Sequence, residues 1–178
     1  SKPDYHFRKR GAAAKKVSKQ VDFEPHKYAT LVVDTTNNKI IHAENASEVR
    51  YPASLTKLMT IYLTFEALER GKLGMNHYAT VSKKAASMPR LNLALKAGQR
   101  LKVKDLIESL VIVSANDSAV VLAEKLGGSE QRFAKIMTQR AKQLGMRSTQ
   151  FRNASGLPDD KQFTTAQDMA KLMIALKR

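Results

Sequence analysis

Residues 51–57, Tyr51-Pro52-Ala53-Ser54-Leu55-Thr56-Lys57, place a hydroxyl and an amine three positions apart near the predicted start of a helix. Pro52 suits a helix entry, and apolar residues then recur at helical spacing until Gly71. Because positions i and i+3 share a helix face, the amine of Lys57 can reach the hydroxyl of Ser54. A serine is a good nucleophile only beside a base, and burial can keep a lysine neutral enough to be one. The stretch is therefore a candidate nucleophile and base, although this spacing also arises by chance in a lysine-rich chain.

The composition indicates one globular domain with an anionic environment. The 178 residues include 31 Lys and Arg against 16 Asp and Glu, a net charge of +15. Such an excess favours nucleic acid, anionic lipid or an acidic cell-wall polymer as the surroundings, without choosing among them. The absence of cysteine excludes disulfides and thiolate metal sites and leaves the compartment open. No apolar run is long enough for a spanning helix or a signal peptide, so a signal removed upstream of Ser1 is presumed.

The first part of the chain divides into a basic lead-in and a β-hairpin. Residues 1–22 carry seven basic residues and no helical apolar stripe, which predicts a solvated or loosely ordered lead-in ahead of a domain over residues 23–178. Two β-rich runs, 28–34 and 39–44, flank Thr35-Thr36-Asn37-Asn38, whose asparagines tolerate turn conformations. This pattern predicts a hairpin.

The second part is predicted to be mainly helical. Residues 74–102 are rich in turn signals and predict small strands or short helices. Helical periodicity returns at Val103 in two helices separated by the polar run 113–118, with core positions at Leu106, Ile107, Leu110, Val111, Val120, Val121, Ala123 and Leu126. Ser129 predicts the cap of a third helix, and Thr165 with Asp168 predicts a capping box for the last one.

Ser114-Ala115-Asn116, about sixty residues after Ser54, forms a second polar motif inside an apolar helical hairpin. A polar turn that caps a helix would account for it when it is considered alone. Together with Ser54 and Lys57, however, it supplies a second hydroxyl and an amide. Acyl transfer uses a nucleophile, a base and polar groups of these kinds. The four histidines show no metal-ligand spacing and predict no metal site.

Four motifs together resemble one family. They are Tyr-Pro-Ala-Ser-Leu-Thr-Lys-Leu-Met-Thr from Tyr51, Leu-Val-Ile-Val-Ser-Ala-Asn-Asp-Ser-Ala from Leu110, Arg-Asn-Ala-Ser-Gly-Leu-Pro from Arg152 and Thr-Thr-Ala-Gln-Asp-Met-Ala from Thr164. In order and spacing they are similar to the serine D-alanyl-D-alanine carboxypeptidases among the low-molecular-mass penicillin-binding proteins, over about Lys27 to Arg178. The resemblance implies an α+β fold of the penicillin-binding protein/serine β-lactamase type, with an N-terminal β-hairpin of an antiparallel sheet and a mainly helical region.

The resemblance also implies a mechanism without a cofactor or metal. Ser54 would attack the carbonyl of the penultimate D-alanine of a peptidoglycan stem peptide, and water would hydrolyse the acyl-enzyme. Lys57 would take the serine proton, Ser114 would relay a proton to the leaving amine, and Asn116 would orient Lys57 and bind the substrate backbone. β-Lactam antibiotics would acylate the same serine. The implied location is extracytoplasmic, in the periplasm or cell envelope, with peripheral membrane or cell-wall association left open.

One family motif is missing. The family carries Lys-Thr-Gly on a later strand, where it recognises the substrate carboxylate and supplies an oxyanion-hole N–H, and this sequence contains no Lys-Thr-Gly. We therefore expect the C-terminal sheet strands to be absent from this chain and its activity alone to be impaired. Natural truncation, proteolysis and completion of the sheet by a second chain all stay open.

Three alternatives accompany this interpretation. A β-lactamase would share the serine, the lysine and the Ser-x-Asn turn, but class A enzymes add a glutamate in a later loop, where this chain has Asn153 and Ser155. A nucleic-acid-binding module would explain the charge, yet aromatic residues are few and no recognition motif is present. A cell-wall-binding protein without turnover is the third, favoured by the missing motif.

Overall fold

The structure is a computed structural model that describes the backbone of four segments near the N-terminus and the whole of one long stretch. These ranges are 4–10, 14–24, 27–34, 39–44 and 55–177. Helices and strands both contribute to the fold, so the predicted α+β class is confirmed. The chain separates into two compact units: one contains residues 1–52, 141–150 and 163–178, and the other contains residues 53–140 and 151–162.

An antiparallel sheet dominates the first unit. Its strands run in the order β1-β2-β3-β4 and are β1 Asp4–Arg10, β2 Ala14–Glu24, β3 Lys27–Asp34 and β4 Lys39–Glu44. Strands β3 and β4 pair with Asp34 opposite Lys39, which confirms the predicted hairpin. Their register shifts between Val32 and Val33, as a β-bulge does.

The expectation of a loosely ordered lead-in is wrong for the two segments that form β1 and β2. Strand β2 lies beside β3, with Val17 opposite Val33 and Val21 opposite Ala29. Val17 and Val21 are the apolar residues of β2 at these pairs, and they are too few to give a clear strand pattern in the sequence. Without β2, the backbone groups on that edge of β3 would be unpaired, so tertiary pairing decides the structure here. The proposed domain boundary at residue 22 stays a prediction.

The last helix of the first unit, α6 Ala166–Lys177, lies against β3. The predicted cap is half confirmed, because the hydroxyl of Thr165 accepts a hydrogen bond from the Asp168 N–H at 3.0 Å. The carboxylate of Asp168 is buried and turns elsewhere: it accepts from the Ser148 N–H at 2.8 Å and from the Thr149 hydroxyl at 2.6 Å. A residue expected to act as a solvated cap is thus part of a buried polar cluster.

The second unit is helical around a small two-stranded sheet. Its elements are α1 Thr56–Glu69, β5 Tyr78–Thr80, α2 Lys83–Ala86, β6 Arg100–Lys102, α3 Val103–Ile112, α4 Asn116–Gly127 and most of α5 Glu130–Gln143. The predicted mixture of short elements over residues 74–102 is confirmed. Ser129 caps α5 by accepting from the Arg132 N–H at 3.1 Å, as predicted, and Gly71 follows α1 in the left-handed region at φ +69°.

Helix α4 occupies the centre of this unit and packs against both α1 and α3. The largest fully buried apolar side chains of this unit include three of α4 itself and six of the other segments: Val120, Val121 and Leu122, and Met59, Val81, Val103, Leu106, Phe133 and Met137. One predicted core position is wrong, because Val111 is 58% exposed. It lies at the end of α3 beside Ile112 and Val113, where the helix leaves the core to enter the Ser114 turn. Helical periodicity does not show where packing stops.

Candidate active site

Three of the four predicted site residues lie at helix ends in the second unit. Ser54 lies outside the described residues, two positions before the first residue of α1. Lys57 is in the first turn of α1, Ser114 is in the turn between α3 and α4, and Asn116 is the first residue of α4. Because α1 packs against both α3 and α4, the fold brings the helices that carry Lys57 and the Ser-x-Asn turn together.

Lys57 is a buried lysine with a lowered pKa. Only 5% of its surface is exposed, and burial lowers its pKa from 10.5 to about 8. The first turn of α1 contains no acidic residue, and no ion pair to Lys57 is found within residues 55–177. Desolvation disfavours the ammonium form, and the positive end of the helix dipole acts in the same direction. About a tenth of Lys57 is therefore neutral at pH 7, far more than for an ordinary lysine.

The polar side chains of α1 face the interior as well. Thr56, Thr60 and Thr64 are fully buried. The Thr60 hydroxyl donates to the Ala154 carbonyl at 2.8 Å, and the Thr64 hydroxyl donates to the Thr60 carbonyl at 2.7 Å. The helix is thus fixed to the loop of the third sequence motif, which lies almost a hundred residues further along the chain. This anchoring holds Lys57 in place.

Ser114 adopts a backbone conformation that favours glycine. Its φ is +58°, in the left-handed region, directly after Val113 ends α3. A non-glycine residue there costs on the order of 1–3 kcal/mol, and such strain clusters at functional sites. A glycine would turn the chain at lower cost. The presence of a half-buried serine instead is consistent with a use for its hydroxyl.

Asn116 is held by the backbone of a neighbouring segment. Its Nδ2 donates to the carbonyls of Pro89 and Arg90, both at 3.0 Å, and its backbone N–H donates to the Leu91 carbonyl at 2.7 Å. Within the stretch 55–177, no hydrogen bond joins Asn116 to Lys57, so the predicted contact between them stays a prediction. The amide hydrogens are fully used, and Oδ1 is left as an acceptor.

Asp117 is a site residue that sequence reasoning missed. It is only 1% exposed, and its carboxylate accepts from the backbone N–H groups of Leu93 at 3.0 and 3.1 Å, Leu95 at 3.1 Å and Ser118 at 2.9 Å. The available signal was an acidic residue in the first turn of a helix, where a carboxylate is stabilised. Apart from the adjacent Ser118, its partners are more than twenty residues away, and no local pattern predicts them.

Glu130 and Gln162 hold the loop that carries Asn153 and Ser155. Gln162 accepts from the Arg152 and Asn153 N–H groups at 2.8 and 3.1 Å. Glu130 accepts from the Ala154 N–H at 3.2 Å and pairs with Lys84 at 2.9 Å. A glutamate therefore does contact this loop, but both of its oxygens are occupied by structural partners. It does not resemble a free base for a deacylating water.

The described residues contain no cluster of three or more side chains suited to a metal ion. In the same part of the chain, none of the helices combines the length and apolar character needed to span a bilayer.

The fold and the Ser-Lys pattern define a class, that of the penicillin-binding proteins and serine β-lactamases, and solved structures agree. The D-alanyl-D-alanine carboxypeptidase DacD from Francisella tularensis matches with a TM-score of 0.81 at 37% identity, over 87% of this chain and 38% of that one. Penicillin-binding protein D2 from Listeria monocytogenes, solved with ampicillin bound, matches at 0.73 and 32% identity, over 83% of this chain and 60% of that one.

The family model described as D-alanyl-D-alanine carboxypeptidase matches residues 14–178, and the chain belongs to this family, peptidase family S11. The carboxypeptidase DacF of Bacillus subtilis is 37% identical over 142 residues, which are 80% of this chain and 36% of DacF. DacC of Escherichia coli is 38% identical over 83% of this chain and 38% of its own length. The chain thus spans well under half the length of these two relatives.

Proposed function

We propose that this chain carries the acylating centre of a serine D-alanyl-D-alanine carboxypeptidase. Lys57 takes the hydroxyl proton of Ser54, and Oγ forms a bond to the carbonyl carbon of the penultimate D-alanine. The peptide C–N bond then breaks, and the terminal D-alanine leaves with a proton on its nitrogen. Water hydrolyses the resulting ester, which returns the serine hydroxyl and releases the shortened stem peptide.

The burial of Lys57 is the observation that carries this proposal. An exposed lysine would be almost fully protonated at neutral pH and could not accept a proton. With a pKa of about 8, about a tenth of Lys57 is neutral at pH 7. The family membership supports Ser54 as the partner of this base, because the serine precedes the lysine by three positions in the motif.

The roles proposed for the second motif follow the same chemistry. The hydroxyl of Ser114 relays the proton toward the departing amine. The Oδ1 of Asn116 is an acceptor and suits a donor such as the Lys57 ammonium or a substrate N–H. Asn116 would therefore act through its oxygen alone, because both N–H groups of its amide already bind backbone carbonyls.

β-Lactam antibiotics are proposed as a second class of acylating ligand. The Listeria monocytogenes relative has been solved with ampicillin and with cefotaxime bound, and it shares the fold of this chain at 32% identity. A β-lactam carbonyl would react with Ser54 as the peptide carbonyl does. We also propose an extracytoplasmic location, where the peptidoglycan stem peptide is found. The +15 charge would attract the protein to an anionic cell envelope.

The test is intact-mass analysis after incubation with a labelled penicillin, followed by peptide mapping. It uses the 178-residue chain and a longer version that continues into the Lys-Thr-Gly region of a relative. Loss of one oxyanion donor alone typically costs about a hundred- to a thousandfold in rate, so we expect slow or undetectable labelling of the shorter chain. The longer version should carry one adduct on Ser54.

Ser54→Ala should abolish the adduct in the longer protein, whereas Ser148→Ala, at an exposed serine, should not change it. An adduct on another residue would overturn the assignment of the nucleophile. The whole proposal fails if the longer protein takes no adduct and hydrolyses no D-Ala-D-Ala peptide.

A further inference from the structure

Two adjacent side chains at the start of α4 fasten the segment 89–95 to the site. This segment leaves the core: Pro89, Arg90, Leu91, Leu93 and Ala94 are exposed, and Leu91 reaches 56%. It belongs to no helix or strand, so its backbone polar groups need partners other than a regular ladder. Asn116 and Asp117 supply most of these partners.

The two residues divide the work by chemical type. Asn116 is a donor to this segment and takes the carbonyls of Pro89, Arg90 and Leu91. Asp117 can only accept when ionised, and it takes the N–H groups of Leu93 and Leu95. Two neighbouring residues thus bind the two ends of a seven-residue segment, one as a hydrogen-bond donor and the other as an acceptor. Neither residue could replace the other, because an ionised carboxylate cannot donate to the carbonyls that Asn116 binds.

The grip by Asp117 has a consequence for the amide of Asn116. A primary amide can rotate by half a turn and exchange its donor and acceptor ends. Two carbonyls at 3.0 Å favour one of these orientations, with Nδ2 toward Pro89 and Arg90. We expect those carbonyls to stay in place only while the far end of the segment is held, and Asp117 contacts that end through the N–H groups of Leu93 and Leu95.

We propose that Asp117 is a positioning residue for Asn116. By holding Leu93 and Leu95, it keeps the Pro89 and Arg90 carbonyls on Nδ2, so that Asn116 presents its Oδ1 acceptor to the reacting centre. The effect of Asp117 on catalysis rests on the proposed function. Its effect on the orientation of the Asn116 amide is independent of that function.

The kinetic test compares substitutions of two buried carboxylates in the longer protein, which we expect penicillin to acylate. Asp117→Asn removes the charge and one acceptor, and we expect the acylation rate constant to fall about 10- to 100-fold, the effect of a small misplacement at a site. Asp168→Asn is the matched control, since Asp168 is also buried and also accepts a backbone N–H and a further donor, but in the first unit. It should leave the rate within about twofold at a similar loss of stability. Equal rate losses in the two variants would overturn the proposal.

A double-mutant cycle then tests whether Asp117 acts through Asn116. In an Asn116→Ala background, Asp117→Asn should change the acylation rate by less than about twofold, because the amide that it orients is gone. A fully additive loss would show that Asp117 acts on the site by another route and would overturn the proposal.

A readout that needs no activity separates this inference from the proposed function. In the parent protein, the Leu93 and Leu95 amides and the Asn116 side-chain amide should exchange slowly with solvent. Asp117→Asn should speed exchange of the Asn116 side-chain amide at least about tenfold, and Asp168→Asn should not. Fast exchange of the Leu93 and Leu95 amides in the parent would refute the role of Asp117 in holding this segment, even if penicillin labels Ser54. An unchanged exchange rate of the Asn116 side-chain amide in Asp117→Asn would refute it too. Should Asp117→Asn not fold, exchange in the parent still decides whether Asp117 holds the Leu93 and Leu95 amides.

Discussion

A cation lies at each end of α1, and the two differ in the direction of their pKa shift. In the first turn, Lys57 is buried without a carboxylate partner in the described part of the chain, and burial lowers its pKa to about 8. Two turns later, Arg140 reaches α1 and donates to Glu66 from Nε at 2.9 Å and from Nη2 at 2.6 Å. Hydrogen bonding to Glu66 raises the pKa of Arg140.

Burial and partners together separate the two cations: burial lowers the pKa of Lys57, whereas Arg140 is more exposed and its hydrogen bonds to Glu66 raise its pKa. The guanidinium of Arg140 also donates to the Tyr62 hydroxyl at 3.1 Å and lies over the Tyr62 ring, 5.6 Å from its centre. Each of these contacts favours the charged form. Within the described part of the chain, no such contact to Lys57 is found, and burial lowers its pKa. One end of α1 thus holds a paired cation, and we propose that the other end supplies the base.

The largest effect is expected from Lys57→Met. Removal of the base should slow acylation of Ser54 by about 10²–10⁴-fold. The free energy of unfolding at pH 7 should not fall, because the variant no longer buries an unpaired cation. Penicillin labelling and urea unfolding measure the two quantities, with Lys72→Met at an exposed lysine as the control. A variant that labels at the parental rate would show that Lys57 is not the base.

The pH dependence sharpens the same contrast. Below the folded pKa of about 8, the neutral fraction of Lys57 and the acylation rate should rise about tenfold per pH unit, and both should level off above it. The pKa is lower in the folded chain than the ordinary value of 10.5, so the unfolded chain binds more protons between these values. The free energy of unfolding should therefore gain a rising contribution with pH across this window. Lys57→Met should lack both trends, and a parent rate that is flat from pH 6 to 9 would contradict them.

At the other end of α1, Arg140→Met should affect stability and leave acylation alone. It deprives the half-buried Glu66 of its main partner, which should cost about 1–3 kcal/mol of unfolding free energy. Because Arg140 holds the pKa of Glu66 below its ordinary value, the pair stabilises the protein above that value and loses its effect as pH falls through the lowered pKa. In Arg140→Met, the free energy of unfolding should no longer show this fall at low pH. Adding Glu66→Gln to that variant should recover part of the lost stability. Urea unfolding between pH 3 and 7 tests all three points.

The smallest effect is expected from Tyr62→Phe. It removes the hydroxyl that accepts from Arg140 and donates to Glu66 at 3.3 Å, while the aromatic ring under the guanidinium is kept. We expect a loss of about 0.5–1 kcal/mol and an unchanged acylation rate. A rate loss here as large as that of Lys57→Met would mean that the two ends of α1 do not act separately.

Sequence patterns predicted the elements whose cause is local. The β3–β4 hairpin has a turn of tolerant residues, and Ser129 and Thr165 have side chains that cap the next helix. The order of the helices follows from apolar spacing. Strand β2 was missed because its partner β3 decides its structure, and the exposure of Val111 was missed because packing ends before the helix does.

The candidate site divides in the same way. Lys57, Ser114 and Asn116 were predicted from short motifs. The structure adds a feature to each that spacing cannot show: Lys57 is buried, Ser114 has a left-handed backbone, and the Asn116 amide donates to two backbone carbonyls. Asp117 and Glu130 could not be predicted because each holds a backbone N–H more than twenty residues away, that of Leu95 and that of Ala154. A side chain that grips distant backbone leaves no periodic trace in the sequence.

The most direct measurement is the pKa of Lys57 itself, followed by NMR of its side-chain nitrogen across pH 6 to 12 with Lys57→Met to assign the signal. We expect a midpoint near 8, well below the lysine value of 10.5. A Lys57 midpoint at the ordinary value would mean that the amine stays protonated at neutral pH, and Lys57 could not then act as the base for Ser54.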